Sequence, residues 1–193
     1  MHNFVFPAML KTETMEKEGE SLHPFRHFLT VAKHRRLVRR YCFRLGLIRQ
    51  GLTHDLSKYS PTEFWTGARY YLGDRSPNVA QREENGYSSA WMHHKGRNKH
   101  HFEYWVDLDP VPMPLNYVAE MVADRIAACR TYLGRDYYPG SELDYLMKRE
   151  KPAVMHPQTY ALLTELLTML RDRGEDETFA YLRQLLREAR RRK

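Results

Sequence analysis

The chain has 193 residues, of which 42% are hydrophobic and 12% aromatic. That suits a single domain over 1-193 that can bury a substantial core, and it excludes a disordered chain. The formal net charge is +7 with histidines neutral, which favours anionic partners: phosphates, nucleotides or nucleic acid. No apolar run reaches the roughly 18 residues of a membrane span. The start, Met1-His2-Asn3-Phe4-Val5-Phe6-Pro7, lacks the basic opening and long apolar stretch of a secretory signal, so no membrane partner and a cytoplasmic location are expected.

Residues 1 to 20 are mixed, with a charged run from Lys11 to Glu20, and read as an arm or short helix. Pro24 stands where helix-starting prolines occur. From Phe25, apolar residues at helical spacing (Phe28, Val31, Val38, Tyr41, Cys42, Leu45) predict a first helix that Gly46 ends or bends. His27 and His34 share one face of it. Arg35, Arg36, Arg39 and Arg40 fall opposite the apolar stripe, as a solvated face would. Leu47 to Tyr59 reads as a second helix carrying His54 and Asp55. Ser60-Pro61-Thr62-Glu63 restarts the helix, with Ser60 as N-cap and Glu63 three residues on, as in a capping box. The third helix runs through Phe64, Trp65, Ala68 and Tyr71 to Gly73.

Ser76-Pro77 opens a further helix, which Gly86 interrupts before Ser89-Ala90-Trp91-Met92-His93-His94-Lys95-Gly96. Asn98-Lys99-His100-His101 follows, so two His-His pairs stand seven residues apart. Prolines at 110, 112 and 114 predict a loop. Leu115 to Leu133 is a strong helix with Asp124 among apolar residues, where a carboxylate needs a metal, an arginine or solvent to compensate it. After the turn at Tyr137 to Gly140 comes a short helix from Glu142 to Arg149. Leu162, Leu163, Leu166, Leu167 and Leu170 pair with Phe179, Leu182, Leu185 and Leu186 as an antiparallel hairpin ending in a basic tail. The expected fold class is all-α. Cys42 and Cys129 have no Cys-x-x-Cys partner and read as buried thiols.

The order His34, His54-Asp55, paired histidines, Asp124 is that of a buried metal site assembled from several helices. Imidazole nitrogen and carboxylate oxygen suit a divalent transition metal (manganese, iron, zinc, cobalt or nickel), one or two ions. His27 is an alternative to His34. Within the pairs His93-His94 and His100-His101, adjacent helical residues point about 100° apart, and His94 and His101 are preferred over His93 and His100. An ion in such a site can activate water against a phosphate ester. Lys58, Lys95, Arg97, Asn98 and Lys99 are the candidates for holding the anionic substrate. Glu63 is either a helix cap or a carboxylate acting at the site.

His34, His54-Asp55 and Asp124, with Leu56-Ser57-Lys58 after the doublet, resemble the HD-domain superfamily of metal-dependent phosphohydrolases. That resemblance covers roughly residues 25 to 133, with C-terminal helices from about 140 to 193 packed on an HD-like core. It implies that His34, His54, Asp55 and Asp124 bind one metal and that histidines of the 93–101 stretch bind a second. His54-Asp55-x-Ser57-Lys58-Tyr59-x-x-x-Glu63-Phe64 together with Trp91-x-His93-His94-x-x-x-Asn98-x-His100-His101-x-x-Tyr104-Trp105 is similar to the family of unknown function DUF5662. The expectation is a metal-dependent phosphohydrolase acting on a nucleotide or other phosphorylated small molecule, with Asp55, Lys58 and Glu63 as catalytic candidates. Two alternatives carry over: an HD-like iron-dependent oxygenase, and a nucleic-acid-binding module with a structural metal.

Overall fold

A computed structural model describes residues 22–149 and 154–192. The arm or helix expected over residues 1 to 20, and the last residue of the basic tail, lie outside the described residues. Within them there are eight α-helices and no strand: α1 (Pro24–Arg44), α2 (Ile48–Thr53), α3 (Pro61–Arg69), α4 (Pro77–Asn85), α5 (Ser89–Lys95), α6 (Leu115–Leu133), α7 (Ser141–Arg149) and α8 (Pro157–Arg191). The all-α expectation holds.

α6 is the axis of the molecule. Val118, Ala119, Val122, Ala123, Ile126 and Ala127 are all within 1% of complete burial, so α6 is surrounded on most sides. α1 packs along it, and α2 and α3 pack on α1. The buried stripe of α1 is His27, Val31, His34, Val38, Tyr41 and Cys42, which places two histidines in line with the apolar contacts. Ser60 caps α3 through the Glu63 backbone N–H, and Ser88 caps α5 through that of Trp91.

The C-terminal hairpin forms as expected, with its break at Gly174 (φ 81°, ψ 180°), a backbone that glycine adopts readily. The Tyr181 hydroxyl donates to Glu165 Oε1 at 2.9 Å; a continuous helix would separate residues 16 apart by about 24 Å. Leu163, Leu166, Leu167 and Leu170 from the first arm and Phe179, Leu182 and Leu186 from the second join α6, Leu143 and Leu146 in one apolar core.

The third helix, expected to reach Gly73, ends at Arg69, and a further element is corrected more deeply. The predicted helix from Leu47 to Tyr59 is broken in the middle. α2 stops at Thr53, His54 is extended (φ −49°, ψ 127°), Asp55 is left-handed, and a 3-10 turn covers Leu56–Tyr59. The apolar spacing did not signal this break, because its cause is tertiary: the doublet faces a site that a continuous helix could not serve with both side chains.

Candidate metal centre

The doublet is placed by strain and by an arginine. Asp55, at φ 53°, is the sole non-glycine residue with positive φ among the described residues. Such a conformation costs on the order of 1–3 kcal/mol and persists where surrounding contacts enforce it. Arg35 of α1 enforces it here: its Nε donates to the His54 carbonyl at 2.8 Å and its Nη2 to that of Leu52 at 3.2 Å. Gly51 lets α2 close on α1, since a Cβ there would stand 2.8 Å from Cys42 Cβ. Adjacent helical side chains diverge; the kink instead brings His54 Nε2 to 3.4 Å from Asp55 Oδ2.

Asp55 divides the site in two. Its Oδ2 lies 3.6 Å from His34 Nε2, 3.4 Å from His54 Nε2 and 2.6 Å from Lys58 Nζ. Asp124 Oδ1 completes that side, 3.0 Å from His34 Nε2 and 3.5 Å from His54 Nε2. The other oxygen, Oδ1, lies 3.3 Å from both His94 Nε2 and His100 Nε2. His101 Nε2 stands 2.9 Å from His94 Nε2. Two ligand sets result, His34-His54-Asp55-Asp124 and Asp55-His94-His100-His101, with Asp55 common to both.

Outer carboxylates orient the histidines. Glu120, one turn before Asp124 on α6, lies 3.0 Å from Nδ1 of His54 and 3.3 Å from Nδ1 of His100. It is itself held by Gln50 Nε2 at 2.6 Å. Glu63 does the same on the second side, with Oε2 at 2.7 Å from His94 Nδ1 and Oε1 at 2.6 Å from His93 Nδ1. With the Nδ1 proton donated outward, Nε2 presents its lone pair inward, the tautomer a metal-binding imidazole requires. A third grouping of ligand atoms, His54-His100-Glu120, is therefore better read as this outer hold than as another ion position.

The charges are those of a cation site. Burial works to raise the Asp55 carboxyl, but His54, Lys58 and His94 outweigh it and hold it well below its usual range. Burial likewise opposes ionisation of Asp124 and Glu120. His34 and His54 keep Asp124 well down, and hydrogen bonds from His100 and His54 pull Glu120 to about 2. Burial disfavours a proton on His100, yet Asp55 and Glu120 push it up to about 10. His54 moves up against burial because of Asp55. His94 is lowered by burial, and His101 well lowered by burial and by the neighbouring His100 and His94 imidazoles. Asp55, Glu120 and the partly buried Asp124 thus stay ionised and draw positive charge inward.

The residues fit a metal on a second count. His34 Nε2, His54 Nε2, Asp55 Oδ1, Asp55 Oδ2 and His100 Nε2 are buried and make no hydrogen bond of good geometry; their near contacts are the ion pairs within the cluster and, for Asp55 Oδ2, Lys58. Buried polar atoms without hydrogen bonds are costly and uncommon; these five line the two ligand sets, where a cation would give them a partner. These buried clusters could bind a metal ion.

The description "Family of unknown function (DUF5662)" matches the chain over residues 23–169. The chain belongs to this family. No curated protein and no solved structure matches it. The matched span runs past the ligand-bearing helices through α7 and into α8, so the family unit includes part of the C-terminal hairpin.

Among the sequence candidates, the structure brings His34, His54, Asp55, Asp124, His94 and His101 together, and adds His100, which the doublet argument had ranked below His101. His100 and His101 lie beyond α5 rather than on a helix, so both reach the cluster. His93 turns to Glu63 instead. His27 is not in a ligand set: its ring packs on Phe64 and Tyr71, and a Cβ on Gly67 would stand 2.3 Å from its Nε2. The Glu63 backbone N–H donates to the Ser60 cap, while its carboxylate holds His93 and His94 in place of closing a capping box. Asn98 donates to Ser57 Oγ at 2.8 Å and to the His94 carbonyl at 2.8 Å, a structural role. Arg97 donates to the His93 carbonyl, and Lys99 sits over the Tyr104 and Tyr117 rings.

A cavity of about 480 Å³ opens beside the cluster, lined by His34, His94, His101 and Asp124. Its cations are Lys58, Arg75, Arg82 and Arg125; Lys95, Arg97, Asn98 and Lys99 do not line it. The sequence reading therefore missed Glu120, the three cavity arginines and Glu142. Glu120 carried a signal, since a carboxylate four residues before Asp124 on an apolar helix shares its face. Arg75 and Arg82 sit on polar stretches with no distinguishing pattern, and Arg125 lies beside Asp124 in the apolar run of α6.

Proposed function

We propose that the chain is a metal-dependent phosphohydrolase with an HD-like centre for two divalent ions, acting on a small phosphorylated molecule. The observation that carries this reading is Asp55, whose two oxygens face two different histidine sets. Bound divalent cations would supply activated water and neutralise charge on the phosphate. His34, His54, Asp124 and Asp55 Oδ2 would hold one ion, and Asp55 Oδ1, His94 and His100, with His101 beside them, the other. Glu120 touches a histidine of each set and fixes both tautomers; Glu63 fixes His94.

Lys58, 2.6 Å from Asp55 Oδ2 and on the cavity wall, is placed to hold phosphate charge where the ester bond breaks. Its ammonium stays protonated: burial opposes the charge, and Asp55 and Asp124 more than restore it. Arg75, Arg82 and Arg125 extend the positive wall away from the centre and favour an anionic ligand over a neutral one. Arg36, Arg39 and Arg40 are exposed on α1, while Arg35 is committed to the His54 turn, so no arginine of that run belongs to the cavity.

The test is metal analysis of the chelated and reconstituted protein, followed by a phosphate-release screen with manganese, cobalt, zinc, nickel and iron. Two ions per chain and phosphate release that depends on them are expected. Tightly held iron with an oxidised-iron absorption band and no phosphate release would support the iron-dependent oxygenase instead. Metal content that survives replacement of both His54 and Asp55 would overturn the assignment of the centre.

A further inference from the structure

The cavity does not end at the metal centre. Met121, Asp124, Arg125, Ala128, Cys129 and Tyr132 all line it. Their spacing (i, i+3, i+4, i+7, i+8, i+11) is one face of α6, so the cavity runs along that helix. At the end away from the ligands it meets α7, which contributes Glu142. Glu142 is 1% exposed, and both of its carboxylate oxygens are buried without a hydrogen-bond partner. It belongs to neither ligand set and stands outside the helices that build the centre.

The geometry points to Glu142 as the acceptor for N–H donors at the end of a substrate remote from its phosphate, with a nucleoside monophosphate as the class that spans both ends. Cys129 lines the same cavity five residues beyond Asp124, about 7.5 Å further along α6 towards the α7 end. A phosphate at the centre is separated from a base by one pentose, a distance of that order. The volume lies within the roughly 300–1,000 Å³ of small-ligand sites. Tyr132 and Tyr145 give the wall aromatic faces on which a base can rest. A base edge presents N–H groups, which two unpartnered carboxylate oxygens accept; a plain sugar phosphate leaves them unpaired.

The surroundings of Glu142 keep that role open. Burial pushes its carboxyl up to about 7, while its own backbone N–H, the Tyr137 hydroxyl and Arg130 pull the other way; Tyr137 approaches without reaching hydrogen-bond geometry. The Arg130 Nη2 is engaged by Glu175 at 2.9 Å. A site built to hydrogen-bond a substrate group rejects an analogue lacking it, because its own buried groups are then left bare.

The inference rests on the phosphohydrolase reading for the phosphate end alone. The test uses the full, metal-loaded chain with the four nucleoside 5′-monophosphates and ribose 5-phosphate. The best nucleotide is expected to exceed ribose 5-phosphate in kcat/KM by at least about tenfold. In E142Q, which keeps the shape and replaces one acceptor by a donor, that ratio is expected to fall by about tenfold or more. A ratio in E142Q within twofold of wild type overturns the proposal. The wild-type chain gives a second arm that needs no folded variant: a base-methylated nucleotide without N–H donors should lose the same factor, and equal turnover of the two overturns the role of Glu142. If no ester releases phosphate, the enzymatic reading fails by itself. Calorimetric binding of the same ligands then decides on Glu142, with the nucleotide preference and its loss in E142Q as supporting results and equal affinities as the refuting one.

Discussion

The two sides of α6 bury opposite things. On the hairpin side, Leu163, Leu166, Leu167, Leu170, Phe179 and Leu182 are at most 1% exposed and close on apolar partners. On the α1 side, His34, His54, Asp55, His94, His100 and Glu120 are buried to a similar degree, and five of their atoms make no hydrogen bond of good geometry. The first side is complete by itself, because apolar burial needs only shape and volume. The second leaves polar atoms that a metal ion could partner, because buried polar groups need partners. A single chain thus separates what folds it from what it binds with.

The comparison breaks most sharply at Asp55. D55A removes an oxygen from each ligand set, so both ions should be lost; H34A should cost one set and spare most of the other. Metal counts per chain after chelation and reconstitution check this, and equal losses in the two variants would contradict the shared role of Asp55. The hairpin side responds in the other currency. L167A should cost about 2–5 kcal/mol of unfolding free energy, read from denaturant melts, with metal content unchanged.

Glu120 sharpens the difference between ligands and their supports. E120Q should weaken metal affinity by about 10–100-fold on both sides, since its carboxylate reaches a histidine of each set. E63Q should weaken only the side of His94, and a competition titration with a metal-binding dye separates the two patterns. The smallest effect concerns pH. Burial, aided by Lys58, lowers His27 from its ordinary value of 6.5 to about 4. Its folded value is depressed, so its contribution is present above about 6.5 and is lost as pH falls towards about 4. Melts of metal-free protein across that window should show a loss of stability that H27Q reduces; an identical slope in both would remove His27 as its source.

Much of this was legible in one dimension. Pro24, Ser60-Pro61 and Ser76-Pro77 mark helix starts, and α1, α3 and α4 begin at or just inside them. Leu115 to Leu133 was bounded to the residue. The hairpin followed from the leucine spacing, and the order of histidines and aspartates named a cluster that the fold does assemble. These features are local: capping, periodicity and residue chemistry act within a few positions of the chain.

What the sequence left open is what neighbours in space decide. The break at His54-Asp55 comes from Arg35, some twenty residues away, gripping the carbonyl of His54. The choice among four adjacent histidines is made by Glu63, which takes His93 away and aims His94, and by the loop that lets His100 and His101 converge. Glu120 and Glu142 are ordinary carboxylates until burial leaves one between two imidazoles and the other without any partner. Residue type and spacing determined that this protein is helical and gathers metal-binding side chains. Which atoms face one another, and which stay unpaired, only the tertiary structure decided, because orientation and desolvation belong to the packed interior and not to the chain.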